Sequence, residues 1–212
     1  MEIASAPGHP AYLIPAETCR VEQEIKRSRF IATVGRAIDR AQAMAFINSI
    51  RGTYPDATHH CWAFVAGNPH GVGQMGMSDD GEPSGTAGKP ILNILQHKKI
   101  GEIVAVVTRY FGGIKLGTGG LVRAYSSATQ LAMDHLRLKE FTVLKTARIT
   151  ISYAYEPAIR RLLETMQVTF FDVAYTEQVV VTAGIPEHLA DDVIQRIADR
   201  TQGSAAIEFS DK

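Results

Sequence analysis

The sequence predicts an α+β chain of two domains, on three observations. Apolar spacing switches repeatedly between the two-residue period of strands and the 3.6-residue period of helices, with Gly, Pro or Asp near the switches. From residue 146 onward the order reads strand, helix, strand, strand, helix, strand, which is the ferredoxin-like βαββαβ sandwich. The 212 residues, 45% apolar and 21% charged, suffice for one core or two modest ones. Because the grammar changes near residue 145, the expected division is a flexible lead-in over 1–17, an N-terminal domain over 18–145 and a C-terminal domain over 146–212.

Each element has its own signal. Residues 1–17 are rich in Pro and Ala and show no periodicity. Strand-like runs follow at 19–25 and 28–34. Asp39 opens a helix with Gln42 three residues on, in capping-box register. Ala43, Ile47 and Ile50 share one face of it, and Gly52 stands where it should end. Residues 60–66 have strand character. Residues 67–88 hold seven glycines and the run SDDGE, and read as one long loop of a length uncommon unless functional or disordered. Pro90 suits the first position of a short helix. EIVAVVTRYF, residues 102–111, is apolar for five residues in succession and predicts a buried central strand. Leu121, Tyr125, Ala128 and Ala132 then mark a helix to about residue 138. Its small residues Ala124, Ser126, Ser127 and Ala128 would let it lie close on a sheet.

After a linker over 139–145, Ile149, Ile151 and Tyr153 alternate as in a strand. Pro157 starts a helix whose apolar face is Ile159, Leu162, Leu163 and Met166. Strands are expected at 168–174 and 177–183. Pro186 opens a second helix with Leu189, Val193 and Ile197, which Gly203 closes before a last strand at 205–209.

Charge is balanced overall, 22 basic residues against 22 acidic, so no global field recruits nucleic acid or membrane. Locally it is not. Residues 146–212 carry six Lys/Arg and ten Asp/Glu, leaving 16 basic and 12 acidic residues in 1–145. From residue 89 to 125 there are six cations, Lys89, Lys98, Lys99, Arg109, Lys115 and Arg123, against Glu102 alone. Cys19 and Cys61 form no disulfide framework and no CxxC. No signal-peptide pattern and no membrane-length apolar run is present, so the expectation is a reduced cytoplasmic protein without a membrane partner.

The basic stretch surrounds RYFGGIKLGTGGLVRAY, with Gly112, Gly113, Gly117, Gly119 and Gly120 between a strand and a helix. That layout presents backbone N–H groups to a phosphate at a helix N-terminus. The competing reading is a tight turn with close helix–strand packing. Neither Gly112–Gly117, followed by Thr118 rather than Lys, nor Gly88-Lys89, followed by Pro90, completes a P-loop. Cations and aromatic rings together (Lys89, Arg109, Tyr110, Lys115, Arg123 and Tyr125) suit phosphate neutralisation and base stacking, although a tyrosine at helical spacing equally suits a core. Asp79, Asp80 and Glu82 are candidates for a loop contact or for Mg²⁺, with the alternative that they cap turns. HHCW puts His59 and Cys61 on one strand face and His60 on the other, which cannot close a zinc site. Cys61, beside Trp62, Ala63 and Phe64, reads as a small core hydrophobe.

SDDGEPSGTAGKP, VVTRYFGGIKLGTGGLVRAY and HHCWAFVAG together resemble the signature of the IMPACT family, specifically its bacterial YigZ-like branch, from about residue 18 to the C-terminus. The resemblance implies an N-terminal α/β domain of the type seen in the second domain of small-subunit ribosomal protein S5. It also implies a ferredoxin-like C-terminal domain similar to one in elongation factor G. The eukaryotic relative restrains a stress kinase through that kinase's ribosome-associated activator. The relative's additional partner-binding domain is not expected here, so that role is not carried over. The implied function is a non-enzymatic, translation-linked protein that binds RNA or the ribosome through the basic glycine-rich face and contributes to regulating translation. No cofactor, catalytic residue or small-molecule ligand is expected. One alternative is a nucleotide-dependent enzyme like the small-molecule kinases that share the N-terminal fold type. Another is a protein-interaction module using the 67–88 loop for a protein partner.

Overall fold

The computed structural model describes residues 11–71 and 73–210, which divide into a unit of Tyr12–Phe141 and a second beginning at Thr142. Strands of the first unit are Tyr12–Pro15 (β1), Cys19–Ile25 (β2), Ser28–Arg36 (β3), His59–Ala66 (β4), Gln74–Ser78 (β5), Ile103–Tyr110 (β6) and Leu138–Phe141 (β7). Its helices are Arg40–Thr53 (α1), Gly88–Lys98 (α2) and Thr118–His135 (α3). Five strands form an antiparallel sheet in the order β2-β3-β6-β4-β5.

β6 is the middle strand, and both of its faces are covered. Ile103, Ala105 and Val107 join the core under α2 and α3, with Ile91, Leu95, Leu121 and Tyr125. Val104 and Val106 face the opposite way, against Ala43 and Ile47 of α1. A strand buried on both faces has no solvated side for polar residues, hence its unbroken apolar sequence. Alanines at 124, 128 and 132 bring α3 close to the sheet, and the ring of Tyr125 meets Phe30 edge-on at 5.3 Å between centroids.

The second unit comprises Leu144–Ile151 (β8), Glu156–Thr165 (α4), Thr169–Tyr175 (β9), Val179–Pro186 (β10), Ala190–Thr201 (α5) and Ala206–Ser210 (β11). Its sheet order is β11-β8-β10-β9, antiparallel throughout. Ile159, Leu162 and Leu163 of α4 and Val193 and Ile197 of α5 pack with alternate residues of β8 and β10. This is the βαββαβ sandwich read from the sequence, and the chain as a whole is α+β.

Several local expectations are corrected. The lead-in expected over 1–17 contains β1, whose Tyr12 and Ile14 are buried and which pairs with β7; its residues 1–10 lie outside the described residues. The linker expected over 139–145 is largely strand, β7 and the start of β8. β7 is mostly solvent-facing, so its polar sequence LKEF gave no apolar period. Within the expected loop 67–88 lies the edge strand β5, paired to β4. Gly52 does not stop α1, which runs on to Thr53 and is closed by the Tyr54 N–H on the Ile50 carbonyl. The N-terminal cap of α1 is as expected, the Asp39 carboxylate accepting the Gln42 N–H at 2.8 Å.

Candidate functional site

At the end of β6 the sheet register sets His59, Arg109 and Phe30 in one row across β4, β6 and β3, so their side chains share the face covered by α2 and α3. Arg109 is buried there. Its Nη1 donates to Glu82 Oε1 at 2.6 Å and its Nη2 to Ser28 Oγ at 3.3 Å. Tyr125, from α3, donates its hydroxyl to the same Glu82 oxygen at 2.7 Å. Ser28 Oγ also accepts the Gly112 N–H at 3.2 Å. Arg109 thus ties the acidic loop, through Glu82, to the glycine turn, through Ser28 and Gly112. The two glycine-rich blocks, distant in sequence, are neighbours in space.

Gly112 is required by that approach: a Cβ there would collide with the Arg27 carbonyl of the β2–β3 turn. Gly117, at φ +73°, is the N-cap of α3 and supplies no side-chain cap. The first turn of α3 is Thr118, Gly119 and Gly120, whose N–H groups lie before the first helical hydrogen bond, Leu121 N–H to the Gly117 carbonyl at 2.9 Å. A cleft of about 410 Å³ opens beside this turn. Lys115, Leu116, Gly117 and Thr118 form one side; Phe111, His59, Glu82 and Arg109 form the other. A second cleft, beyond Leu116, is lined by Lys26, Arg123 and Gly120.

The acidic residues diverge. Asp79 turns to the start of α2, accepting N–H groups of Ala87 and Gly88 on one oxygen and Gly85 on the other, at 2.8–3.0 Å. Burial pushes the Asp79 carboxyl up, but the N–H donors outweigh it and hold it below its ordinary value. This cap starts α2 two residues before Pro90. Asp80 pairs with Arg51 at 2.6 Å and accepts the His60 N–H. Glu82 is spent on Arg109 and Tyr125. Among the described residues no three His, Cys, Asp or Glu side chains are grouped to hold a metal ion. The kinase-like alternative has no shared carboxylate site for Mg²⁺ to draw on here.

Cys61 is buried, its thiol donating to the Asp79 carbonyl at 3.0 Å, with the Tyr125 hydroxyl at 3.3 Å. Burial raises both the Cys61 thiol and the Tyr125 phenol well above their ordinary values, so both stay protonated. That makes Cys61 a core residue, not a nucleophile. His59 donates its Nδ1–H to the Asp80 carbonyl at 2.8 Å and turns Nε2 toward Glu82, 4.0 Å away.

Of the cations singled out in the sequence, Lys115 and Arg123 are exposed and flank the α3 start on opposite sides of Leu116. Lys89 is exposed on α2 and lines neither cleft. Tyr110 donates its hydroxyl to Asp56 at 2.9 Å with Arg29 over its ring. Arg109 is not a surface cation at all; its charge is matched by Glu82. Gly113, at φ +83°, serves the turn itself. Two cations were missed, Lys26 and Arg27 at the β2–β3 hairpin. Their signal was the gap of two residues between strand runs, which marks a tight hairpin turn. Both have left-handed φ, +47° and +63°, where Asn-Gly would be the ordinary choice.

The fold and these two blocks are those of a known class. Residues 26–133 match the Impact N-terminal domain, and residues 149–204 match a domain of unknown function, DUF1949. The chain belongs to the IMPACT family. An IMPACT family member of Haemophilus influenzae is 40% identical over 199 residues, covering 93% of this chain and 96% of that protein. The IMPACT family member YigZ of Escherichia coli is 41% identical over 194 residues, covering 92% and 95%. YvyE of Bacillus subtilis is 33% identical over 198 residues, covering 93% and 90%. A crystal structure described only as a hypothetical protein is 39% identical with a TM-score of 0.67, covering 95% of this chain and 98% of its own. Among the described residues no helix is long and apolar enough to cross a membrane.

Proposed function

We propose that this chain is an RNA-binding protein with a translation-linked, regulatory role, and that its RNA-phosphate surface is the first turn of α3 with the cations around it. One observation carries the reading. Lys26 and Arg123 share a cleft on one side of Leu116, and Lys115 lines the cleft on the other. Arg27 reaches the same turn through its backbone approach to Gly112. Two segments distant in sequence, the β2–β3 hairpin with Lys26 and the glycine turn running into α3 with Lys115 and Arg123, therefore bring exposed cations to one helix N-terminus, where the macrodipole also favours anions. None of the four forms an ion pair with a carboxylate among the described residues. Holding Lys26 and Arg27 at left-handed φ costs on the order of 1 kcal/mol each, a cost more readily retained at a functional surface.

The test is binding to purified ribosomes and to a structured RNA across a salt series. Affinity should fall steeply as salt rises, and Lys26→Ala, Lys115→Ala and Arg123→Ala together should flatten the log–log slope by about 2. Absence of RNA or ribosome binding even at low salt, or a slope unchanged in the triple variant, would overturn the reading.

A further inference from the structure

We propose that the cleft between Phe111 and the first turn of α3 receives one unpaired nucleotide of the RNA, its base against Phe111 and its 5′ phosphate on the N–H groups of Thr118–Gly120 and on Lys115. The inference rests on the RNA-binding reading and makes it specific. At about 410 Å³ the cleft falls within the roughly 300–1,000 Å³ typical of small-ligand sites. Phe111 is 47% exposed although the Arg109 guanidinium lies 5.5 Å from its ring centroid. An aromatic ring held by a buried cation and still open to solvent is a stacking platform for a base. Leu116 and Leu121 supply apolar surface on the helix side.

The inner end of the cleft is polar and can meet the edge of a base. Thr58 Oγ1 accepts the Phe111 N–H at 3.1 Å, which leaves its own O–H to donate. His59, with Nδ1 committed to the Asp80 carbonyl, has an Nε2 that makes no hydrogen bond among the described residues. Arg109 is 5% exposed, lines the cleft, and its Nε has no acceptor among the described residues. That Nε has no accessible surface and meets a ligand only if the guanidinium shifts toward the cleft, so the open ring of Phe111 and the free Thr58 O–H are the contacts offered directly. The second cleft, with Lys26 and Arg123, continues past Leu116 and provides for a neighbouring phosphate of the same strand.

A paired base is stacked in its duplex and cannot enter, so a single-stranded oligoribonucleotide should bind the full chain more tightly than a duplex of the same length. Phe111→Ala should weaken the single-strand complex about tenfold while leaving the salt slope unchanged; Phe111→Leu, which keeps apolar bulk, should also lose affinity. Uridine and adenosine 5′-monophosphates should shift the backbone amide resonances of residues 117–120 more than inorganic phosphate at equal concentration. If RNA binds but single strand and duplex bind alike and Phe111→Ala has no effect, this inference is overturned and the RNA reading stands. If mononucleotides bind and no RNA does, the RNA assignment of the cleft fails together with the reading it rests on.

Discussion

Glu82 and Glu102 are buried carboxylates that each hold an arginine and a tyrosine, and they lie at opposite ends of β6. Glu102, just before the strand, accepts the Tyr12 hydroxyl at 2.9 Å and the Arg36 Nε–H at 2.7 Å. Its backbone N–H donates to the Gly67 carbonyl, and its carbonyl accepts the Ala37 N–H. Glu102 is therefore a clip that fastens β1 and two loops to the sheet, and burial with the carboxylate contact raises the Tyr12 phenol far above its usual value. Glu82, past the strand's other end, holds Arg109 and Tyr125. The difference lies in the arginines: the Arg36 side chain is 38% exposed, that of Arg109 only 6%. Arg36 keeps water as well as the carboxylate, whereas Arg109 has given up its hydration. A sealed pair gains little net stability over apolar packing of the same volume. At the cleft end the fold holds a charge that packing does not need, and there the glycine turn and the exposed cations gather.

Removing one partner should break the comparison most strongly. Glu82→Ala leaves the Arg109 guanidinium buried and unmatched, and should cost about 3–5 kcal/mol. The loss is read as a fall in the urea midpoint at unchanged m-value. Glu82→Leu combined with Arg109→Met should recover much of that loss, because neither charge then remains buried. A double variant no more stable than Glu82→Ala would show that the site is held by its shape rather than by charge matching. Glu102→Ala should cost less, about 1–3 kcal/mol, chiefly for the orphaned Tyr12 hydroxyl and loosened β1, since Arg36 turns to water. Equal losses for Glu82→Ala and Glu102→Ala would erase the distinction between the two ends.

How much of this was legible follows from how far apart the partners lie. β6 was legible because both faces are buried, and the C-terminal sandwich because Pro157 and Gly203 punctuate clean periods, although Pro186, expected to open a helix, ends β10 and α5 starts only at Ala190. β1 and β7 were not: a four-residue ribbon with one wet strand has too few apolar positions to show a period. At the site, the meeting of the two glycine blocks depends on Glu82 and Arg109, 27 residues apart, and no local pattern encodes that pairing. Arg109 therefore read as one more surface cation. The exposure of Lys115 and Arg123 was legible, because a helix start rich in glycine leaves nothing to cover them. Lys26 and Arg27 were hidden by residue type, since neither is an expected occupant of a left-handed turn position.

Asp79 offers the smallest effect and the finest test of what the acidic loop does. Unlike Glu82 and Glu102 it holds no arginine; three backbone N–H groups at the start of α2 are its partners. Its folded-state pKa lies below the ordinary 3.8, so its charge stabilises the fold above that value, and the contribution is lost as pH falls through the depressed folded value. Asp79→Asn keeps the shape and removes the charge, and should cost about 1 kcal/mol near neutral pH. The gap between wild type and Asp79→Asn in urea midpoints should be constant from neutral pH down to the ordinary carboxylate range and should close as pH falls on below 3.8. A gap that persists in acid would mean that the loss comes from the Asn NH2 group set against a backbone N–H donor rather than from the missing charge. A gap that closes would tie the placement of the loop carrying Glu82, and with it one wall of the cleft, to a charge on the start of α2.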